Sequence, residues 1–187
     1  MLRPPQGTLT GMTEPASQLL PAGALPFLRG GVSQVAQVVE DLDRTVERYW
    51  ERFGVGPWDF WTYQKPLLSH QSYHGKPSDY CIRIALCWMG PTRVELIQPL
   101  RGPSVHEDFV RAHGYGVQHL GILVTDMGAA LRQAEEAGIA MLMDGGGFGL
   151  DGDGGYAYLD TEPLLGVTLE LIQRPKRRRP PEKVYPG

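Results

Sequence analysis

The sequence predicts an α+β protein built from two tandem βαβββ modules that are related by a pseudo-twofold axis. Three observations support this prediction. A strand-like segment followed by aspartate and a helix-like segment occurs twice, beginning at 34–43 and at 119–128. Similar strand-like segments, VELIQP at 94–99 and LELIQRP at 169–175, close the two copies. Two further strand-like segments lie between these ends in each copy, so both copies have the same order of elements.

The first strand and the helix of each copy align at an offset of 85 residues, which places Asp41 opposite Asp126. Each aspartate is suited to be a helix N-cap, and Gly54 and Gly138 are suited to end the two helices. Apolar residues recur at helical spacing in both copies: Leu42, Val46, Tyr49, Trp50 and Phe53 in the first, and Met127, Ala130, Leu131 and Ala134 in the second. The sequence therefore predicts one amphipathic helix in each copy.

The remaining elements complete the two modules. Strands are predicted at 57–64, 81–89 and 94–99 in the first copy and at 139–143, 155–160 and 169–175 in the second, with a joining helix at 104–113. We therefore predict a single domain at 28–175, with module one at about 31–100, a linker helix at about 104–113 and module two at about 117–175.

The two ends of the chain are predicted to lie outside this domain. Residues 1–27 are rich in proline and glycine and have no sustained period, which indicates a loose arm. Residues 176–187 form a basic, proline-rich tail. We interpret it as a solvated tail, and contact with an anionic partner is the alternative.

Composition narrows the classes of partner. The 187 residues carry 18 basic and 21 acidic side chains, a formal net charge of −3, which gives no reason to expect nucleic acid or a membrane surface. The sequence contains no run of about 18 apolar residues, and its first residues do not predict a signal peptide. Cys81 and Cys87 would lie roughly 20 Å apart along one strand, too far to bridge. These features predict a cytoplasmic protein with free thiols.

Polar residues at equivalent positions of the two copies predict a metal site. Gln34 and His119 begin the first strands, and Glu95 and Glu170 have the same phase in the last strands. A buried carboxylate is costly unless it is paired, protonated or bound to a cation, and two equivalent ones indicate a shared reason. Any one of the four alone would be ordinary. Together they suit one divalent ion: Zn, Co, Ni, Mn or Fe(II).

Candidate pocket residues lie in and near the aromatic-rich segment 57–88, which contains Trp58, Phe60, Trp61, Tyr63 and Trp88. These side chains suit a pocket for a bulky apolar or aromatic molecule, and packing in the core or in a dimer is the alternative. The list of candidate pocket residues also includes His70 and His74, at the mouth of the site. The glycine-rich stretch 144–155 is interpreted as a mobile hairpin loop that could act as a lid.

The sequence resembles the vicinal oxygen chelate (VOC) superfamily, which includes glyoxalase I, methylmalonyl-CoA epimerase, extradiol dioxygenases and bleomycin resistance proteins. The resemblance covers residues 31–175 and is greatest to the methylmalonyl-CoA epimerase branch. It is carried by IRIALCWMGPTRVELIQPL at 82–100, by SVHEDFVRAHGYGVQHLGI at 104–122 and by GVTLELIQRP at 166–175. The resemblance implies the VOC fold.

The resemblance also places the family's four metal ligands on Gln34, Glu95, His119 and Glu170. The epimerase branch usually has histidine at the first position, so Gln34 is a departure, and the set is similar to that of eukaryotic glyoxalase I. Extradiol dioxygenases use two histidines and one glutamate, so Gln34 argues against their chemistry.

The implied activity is that of a metal-dependent isomerase, epimerase or lyase. Such an enzyme acts at a carbon adjacent to a carbonyl, through a metal-stabilised enolate. Glu170 and Glu95 are the candidate bases, with Glu170 preferred. The substrate is an unidentified small molecule, and a homodimer is expected. The alternative function is a non-catalytic protein of the bleomycin-resistance type that sequesters a small molecule.

Overall fold

A computed structural model describes residues 25–187, which form four α-helices and eleven β-strands. The helices are α1 (Leu42–Phe53), α2 (Val105–His113), α3 (Met127–Glu136) and α4 (Glu162–Leu165). The strands are β1 (Gln34–Val38), β2 (Trp58–Tyr63), β3 (His70–Tyr73), β4 (Lys76–Pro77), β5 (Cys81–Met89), β6 (Thr92–Arg101), β7 (Gly116–Leu123), β8 (Met141–Phe148), β9 (Gly154–Leu159), β10 (Thr168–Gln173) and β11 (Lys183–Tyr185). The predicted order of strand, helix and three strands occurs in each half, with the β3–β4 hairpin inserted in the first.

The eleven strands of residues 25–187 form one sheet in the order β11-β2-β5-β6-β1-β7-β10-β9-β8-β3-β4. In each half the first strand pairs in parallel with the last one, β1 with β6 and β7 with β10. The two halves meet where β1 pairs with β7 in antiparallel orientation. This arrangement confirms the predicted α+β fold of two βαβββ modules. It also places the four parallel-paired strands at the centre of the sheet.

The two long module helices begin at the predicted aspartates. The carboxylate of Asp41 accepts a hydrogen bond from the backbone N–H of Arg44 at 3.0 Å, and Asp126 caps α3 in the same way. Gly54 ends α1 in the left-handed conformation, with φ of 65°. The predicted apolar face is only partly buried, because Phe53 is 74% exposed at the end of α1.

The glycine-rich stretch at 144–155 is not one long hairpin loop, which corrects that prediction. Strand β8 continues to Phe148, and only residues 149–153 separate it from β9. Gly145 lies within strand β8. A Cβ at this position would come within 2.5 Å of the hydroxyl oxygens of Tyr80 and Tyr156. Close packing against these two side chains therefore explains this glycine, rather than the conformational freedom that a loop requires.

The basic C-terminal segment is largely exposed, as predicted for a solvated tail, but it is attached to the domain rather than free of it. Strand β11 pairs in antiparallel orientation with β2 at the edge of the sheet. Just before it, the carboxylate of Glu182 accepts hydrogen bonds from the backbone N–H and the hydroxyl of Thr62 at 2.9 and 2.8 Å. Lys183 also forms an ion pair with Asp43, at 2.7 Å between Nζ and Oδ1. Backbone pairing and these side-chain contacts hold the segment on module one.

Three further predictions concern the cysteines, the N-terminal arm and membrane-spanning helices. Cys81 and Cys87 are buried and free, and burial raises the pKa of the Cys87 thiol to about 11, which makes it a poor nucleophile. The predicted arm at 1–27 lies outside the described residues except at its end, where a 3-10 helix begins at Pro26. None of the helices in residues 25–187 has the length and apolar character needed to cross a bilayer.

Candidate metal centre

The central strands bring together the four residues predicted to be metal ligands. Gln34 lies on β1, Glu95 on β6, His119 on β7 and Glu170 on β10. Glu95 lies two residues after the position that pairs with Gln34, and Glu170 lies two residues after the position that pairs with His119. The repeat in the sequence is thus a repeat in strand register. Because alternate residues share a face, this register places both carboxylates on the same side as the first-strand residues.

These four side chains are in contact and almost completely buried. Nε2 of His119 lies 3.1 Å from Oε2 of Glu170 and 3.4 Å from Oε2 of Glu95. Nε2 of Gln34 donates to the same two oxygens, at 2.8 Å for Glu95 and 3.2 Å for Glu170. Gln34, Glu95, His119 and Glu170 are 5%, 6%, 0% and 4% exposed. Solvent therefore does little to screen the charges of this centre.

The centre is electrostatically suited to a positive charge. Burial by itself lowers the pKa of His119, but the carboxylates of Glu170 and Glu95 outweigh burial and raise this pKa to about 9. Burial and the nearby Glu170 carboxylate raise the pKa of Glu95, although His119 opposes that shift. Two carboxylates in one buried site repel each other unless a proton or a cation lies between them.

The donor atoms fit a divalent cation. Nδ1 of His119 lies 2.6 Å from Oε1 of Gln118, which can only accept, so Nδ1 carries the proton of the neutral ring. In the neutral ring that a metal requires, Nε2 is therefore the unprotonated nitrogen, and it faces the carboxylate oxygens of Glu170 and Glu95. Ligand atoms of Glu95, His119 and Glu170 all lie within 4.8 Å of one another. One imidazole nitrogen and carboxylate oxygens are the donor set that Zn²⁺ and similar ions bind.

Gln34 would complete this set through its carbonyl oxygen. In the structure its amide nitrogen faces the two glutamates. A half-turn of the terminal amide exchanges the nitrogen for Oε1, and the two orientations occupy nearly the same volume. Gln34 therefore fits as a fourth ligand only in the turned orientation.

A cavity of about 640 Å³, which includes its solvent-filled mouth, adjoins the centre. Gln34, Glu95 and Glu170 form part of its wall. Four aromatic side chains form another part: Trp61, Tyr63, Phe148 and Tyr156. Tyr63 stacks on Tyr156 with 5.7 Å between ring centroids and lies 5.2 Å from Phe148. The aromatic wall suits a small organic molecule.

Only two of the seven predicted pocket residues line this cavity, namely Trp61 and Tyr63. The prediction is wrong for Trp58 and Phe60, which have the opposite phase on β2 and are buried in the core beside α1. Trp88 lies outside the cavity, where it packs against Arg93 and Arg174. The prediction is also wrong for the two histidines.

The two histidines, His70 and His74, are exposed residues of the β3–β4 hairpin. His70 faces the Asp144 carboxylate at 3.5 Å, and His74 packs against Tyr73. Neither forms part of the cavity wall. The polar stretch between predicted strands was a weak signal for residues at the mouth of the site. It forms a hairpin that pairs with β8 in the second module, and this pairing could not be predicted from the stretch itself.

Several residues of this region were missed in the sequence. Phe148 and Tyr156 line the cavity from the second module, and four arginines line it as well: Arg93, Arg174, Arg178 and Arg179. The phase of Arg93, which matches that of Glu95 on β6, was a signal that could have found it. His106 of α2 is fully buried behind His119, with 6.2 Å between ring centroids. Burial and His119 lower the pKa of His106 to about 3, so it is neutral.

Comparisons with known proteins agree with this geometry. A family model of the Glyoxalase/Bleomycin resistance protein/Dioxygenase superfamily matches residues 33–158. Methylmalonyl-CoA epimerase from Mycobacterium tuberculosis is 25% identical over 78% of this chain and 89% of its own, with a TM-score of 0.54.

Two further structures are similar in fold. A variant of Streptomyces coelicolor methylmalonyl-CoA epimerase in complex with 2-nitronate-propionyl-CoA is 20% identical over 80% of this chain and 97% of its own, with a TM-score of 0.53. A hypothetical protein from Bacillus halodurans is 16% identical over 79% and 96% of the two chains, with a TM-score of 0.52. No curated protein matches the chain. The matched family model spans module one, most of module two and three of the four converging residues, and the chain therefore belongs to the Glyoxalase/Bleomycin resistance protein/Dioxygenase superfamily.

Proposed function

We propose that this protein is a metal-dependent isomerase, epimerase or lyase that acts at a carbon adjacent to a carbonyl group. The main observation that supports the proposal is a buried cluster of two carboxylates, one imidazole and one amide beside a cavity. The similarity to the Mycobacterium tuberculosis epimerase supports a reaction of this kind. The substrate is a small molecule with a carbonyl group, and the aromatic wall suits an apolar portion of it.

Gln34, Glu95, His119 and Glu170 would hold the ion. A divalent ion bound there supplies a Lewis acid, which makes a proton on the carbon next to a carbonyl easier to remove. His119 is kept in the correct tautomer by Gln118, whose side-chain oxygen accepts from Nδ1. The centre is nearly closed to solvent, so a protein group rather than water takes the proton from the substrate.

Glu170 is our choice for the group that takes this proton, at a carboxylate oxygen. Gln34 lies closer to Glu95, at 2.8 against 3.2 Å, whereas His119 lies closer to Glu170, at 3.1 against 3.4 Å. These distances do not distinguish the two carboxylates, and the paired glutamine variants decide between them. Both carboxylates belong to the cavity wall, and Glu95 is the alternative base. Trp61, Tyr63 and Tyr156 orient the substrate and exclude water from the reacting carbon.

Exchange of the reacting proton with solvent tests the function. The metal-loaded protein is incubated in heavy water with a panel of carbonyl compounds, methylmalonyl-CoA among them, and deuterium at the adjacent carbon is measured by mass spectrometry. We expect one class of compound to exchange in proportion to protein concentration. If metal is bound and no compound exchanges, the proposal fails and the sequestration alternative gains support.

Metal analysis gives a second expected result. We expect one tightly bound divalent ion per chain, because the two buried carboxylates lack a full countercharge without it. Elemental analysis of the purified protein, repeated after reconstitution with Zn, Co, Ni, Mn and Fe(II), measures this stoichiometry. The absence of bound metal under all of these conditions would contradict the prediction.

The quaternary structure is also a prediction. We expect a homodimer, in line with the family resemblance, and the exposed apolar side chains of Phe53, Leu164 and Leu165 are candidates for its interface. Light scattering should give about twice the chain mass of 20.7 kDa. A single-chain mass at micromolar and higher concentrations would be evidence against a dimer.

A further inference from the structure

Four arginines line the cavity beside the candidate metal centre, namely Arg93, Arg174, Arg178 and Arg179. None of them forms an ion pair with a carboxylate of residues 25–187. The neighbouring Arg177 differs, because Asp151 binds its guanidinium through two nitrogens outside the cavity. The positive charge on the cavity wall is therefore left without a partner from the described part of the chain.

Arg93 gives the clearest indication that a partner comes from outside. It is only 7% exposed, and its Nε has no hydrogen-bond partner within residues 25–187. Nε of Arg174 is buried and lacks a partner in the same way. Glu95, two positions from Arg93 and in the same phase, is hydrogen-bonded to Gln34 instead. A buried guanidinium nitrogen without an acceptor is costly, and two of them at one cavity wall indicate an anionic ligand.

Trp88 contacts two of these arginines. The guanidinium carbons of Arg93 and Arg174 each lie 5.6 Å from the centre of its ring system. Such contacts restrict the rotation of long side chains and therefore organise them before a ligand binds. Trp88 thus contacts two residues of the cavity wall without lining the cavity itself.

The other two arginines, Arg178 and Arg179, lie on a C-terminal strap, which we define as residues 174–185. One end of the strap is fixed to the β8–β9 turn, where the backbone oxygen of Arg177 accepts from the backbone N–H of Leu150 at 2.9 Å. The other end is fixed to β2 by Glu182 and β11. Arg178 and Arg179 lie between these anchors and line the cavity. Anchoring on both modules holds their positive charges at the mouth.

We propose that Arg93, Arg174 and Arg178 form a subsite for an anionic group, a carboxylate or a phosphate, on the small molecule that occupies the cavity. Guanidinium groups bind both kinds of oxyanion through paired hydrogen bonds. The inference rests on the proposed function in taking this molecule as the substrate. The substrate then has both a carbonyl group, which binds at the metal centre, and an anionic group, which binds to the arginines.

Calorimetric titration of the metal-loaded protein tests the subsite. The probes are malonate for the carboxylate, inorganic phosphate for the phosphate, and malonamide as the neutral counterpart of malonate. We expect at least one anion to bind, the tighter one identifying the preferred group, and malonamide to bind at least about tenfold more weakly. Arg174→Gln and Arg178→Gln should each weaken anion binding by about tenfold or more, since each removes a charge-assisted hydrogen bond.

Arg132→Gln is the matched control, because it removes the same charge from the exposed face of α3, away from the cavity. It should leave the affinity for the anion unchanged. Circular dichroism checks that the variants, which change half-buried or exposed residues, keep the fold. Anion binding that is equally tight in wild type, Arg174→Gln and Arg178→Gln would assign the anion to the metal alone and overturn the proposal, as would the absence of any anion binding.

The two proposals fail in different ways. The titration measures binding without turnover. It therefore tests the subsite even if the protein catalyses no proton exchange. Conversely, unchanged anion affinity in both Arg174→Gln and Arg178→Gln removes the subsite and leaves the proton-exchange reaction open to its own test.

Discussion

Replacement of Glu170 by glutamine is expected to reduce proton exchange at the substrate carbon by a factor of about 10²–10⁴. The change is nearly isosteric, so the fold should be kept, but an amide cannot accept the proton. Deuterium incorporation from heavy water measures the rate. Because Glu170 is also a proposed metal ligand, the metal content of the same sample must be determined, and the rates must be compared per metal-loaded chain.

Glu95→Gln is the matched control, since it makes the same change at the equivalent position of the other module. If both variants hold metal and only Glu170→Gln is inactive, Glu170 is the base. The reverse result assigns the base to Glu95. If both variants retain full exchange with metal in place, neither carboxylate accepts the proton, and the proposed mechanism is wrong.

Replacement of His119 by alanine is expected to remove the bound metal and to destabilise the metal-free protein by about 3–5 kcal/mol. The reason is that Glu95 and Glu170 stay buried after their nearest positive charge has been removed. Chemical denaturation of the chelator-treated wild type and variant at pH 7 measures the difference in the free energy of unfolding. His113→Ala is the control, because His113 pairs with Glu162 at the surface and should contribute at most about 1 kcal/mol.

The destabilisation should depend on pH. The folded-state pKa of His119 is raised from 6.5 to about 9 in the absence of metal. The charged imidazole therefore stabilises the metal-free protein fully below pH 6.5, and this contribution is lost as the pH rises through about 9. The difference between wild type and His119→Ala should accordingly shrink above pH 9. An equal difference at pH 6 and pH 10 would show that His119 stabilises the centre by packing rather than by charge.

The sequence repeat was sufficient to predict the fold class and the four residues that meet at the centre. Each strand has a side-chain period of two, and each copy has the same spacing between its first and last strands. Equivalent residues of the copies must therefore have equivalent positions in register, as Glu95 and Glu170 do. The helix ends at Asp41, Gly54 and Asp126 were predictable for the same kind of reason, since they depend only on local backbone geometry.

The pocket could not be predicted as well, because strand periodicity divides residues between two faces without identifying the face that lines a cavity. On β2, the packing of α1 buries Trp58 and Phe60 in the core and leaves Trp61 and Tyr63 to the cavity. His70 was misplaced for a related reason. The hairpin that carries it pairs with a strand of the other module, and such a distant pairing leaves no local trace in the sequence.

The sequence by itself determined the two modules, their capped helices and the identity of the four converging polar residues, because these follow from repeats and from interactions between near neighbours. Only the tertiary structure decided which aromatic side chains face the cavity and where the basic C-terminal segment lies. That segment pairs with β2, more than 100 residues away in the chain, and brings Arg178 to the same cavity as Arg93. Contacts of this kind depend on how the sheet curls and on which edge remains free, and neither property belongs to any single stretch of the sequence.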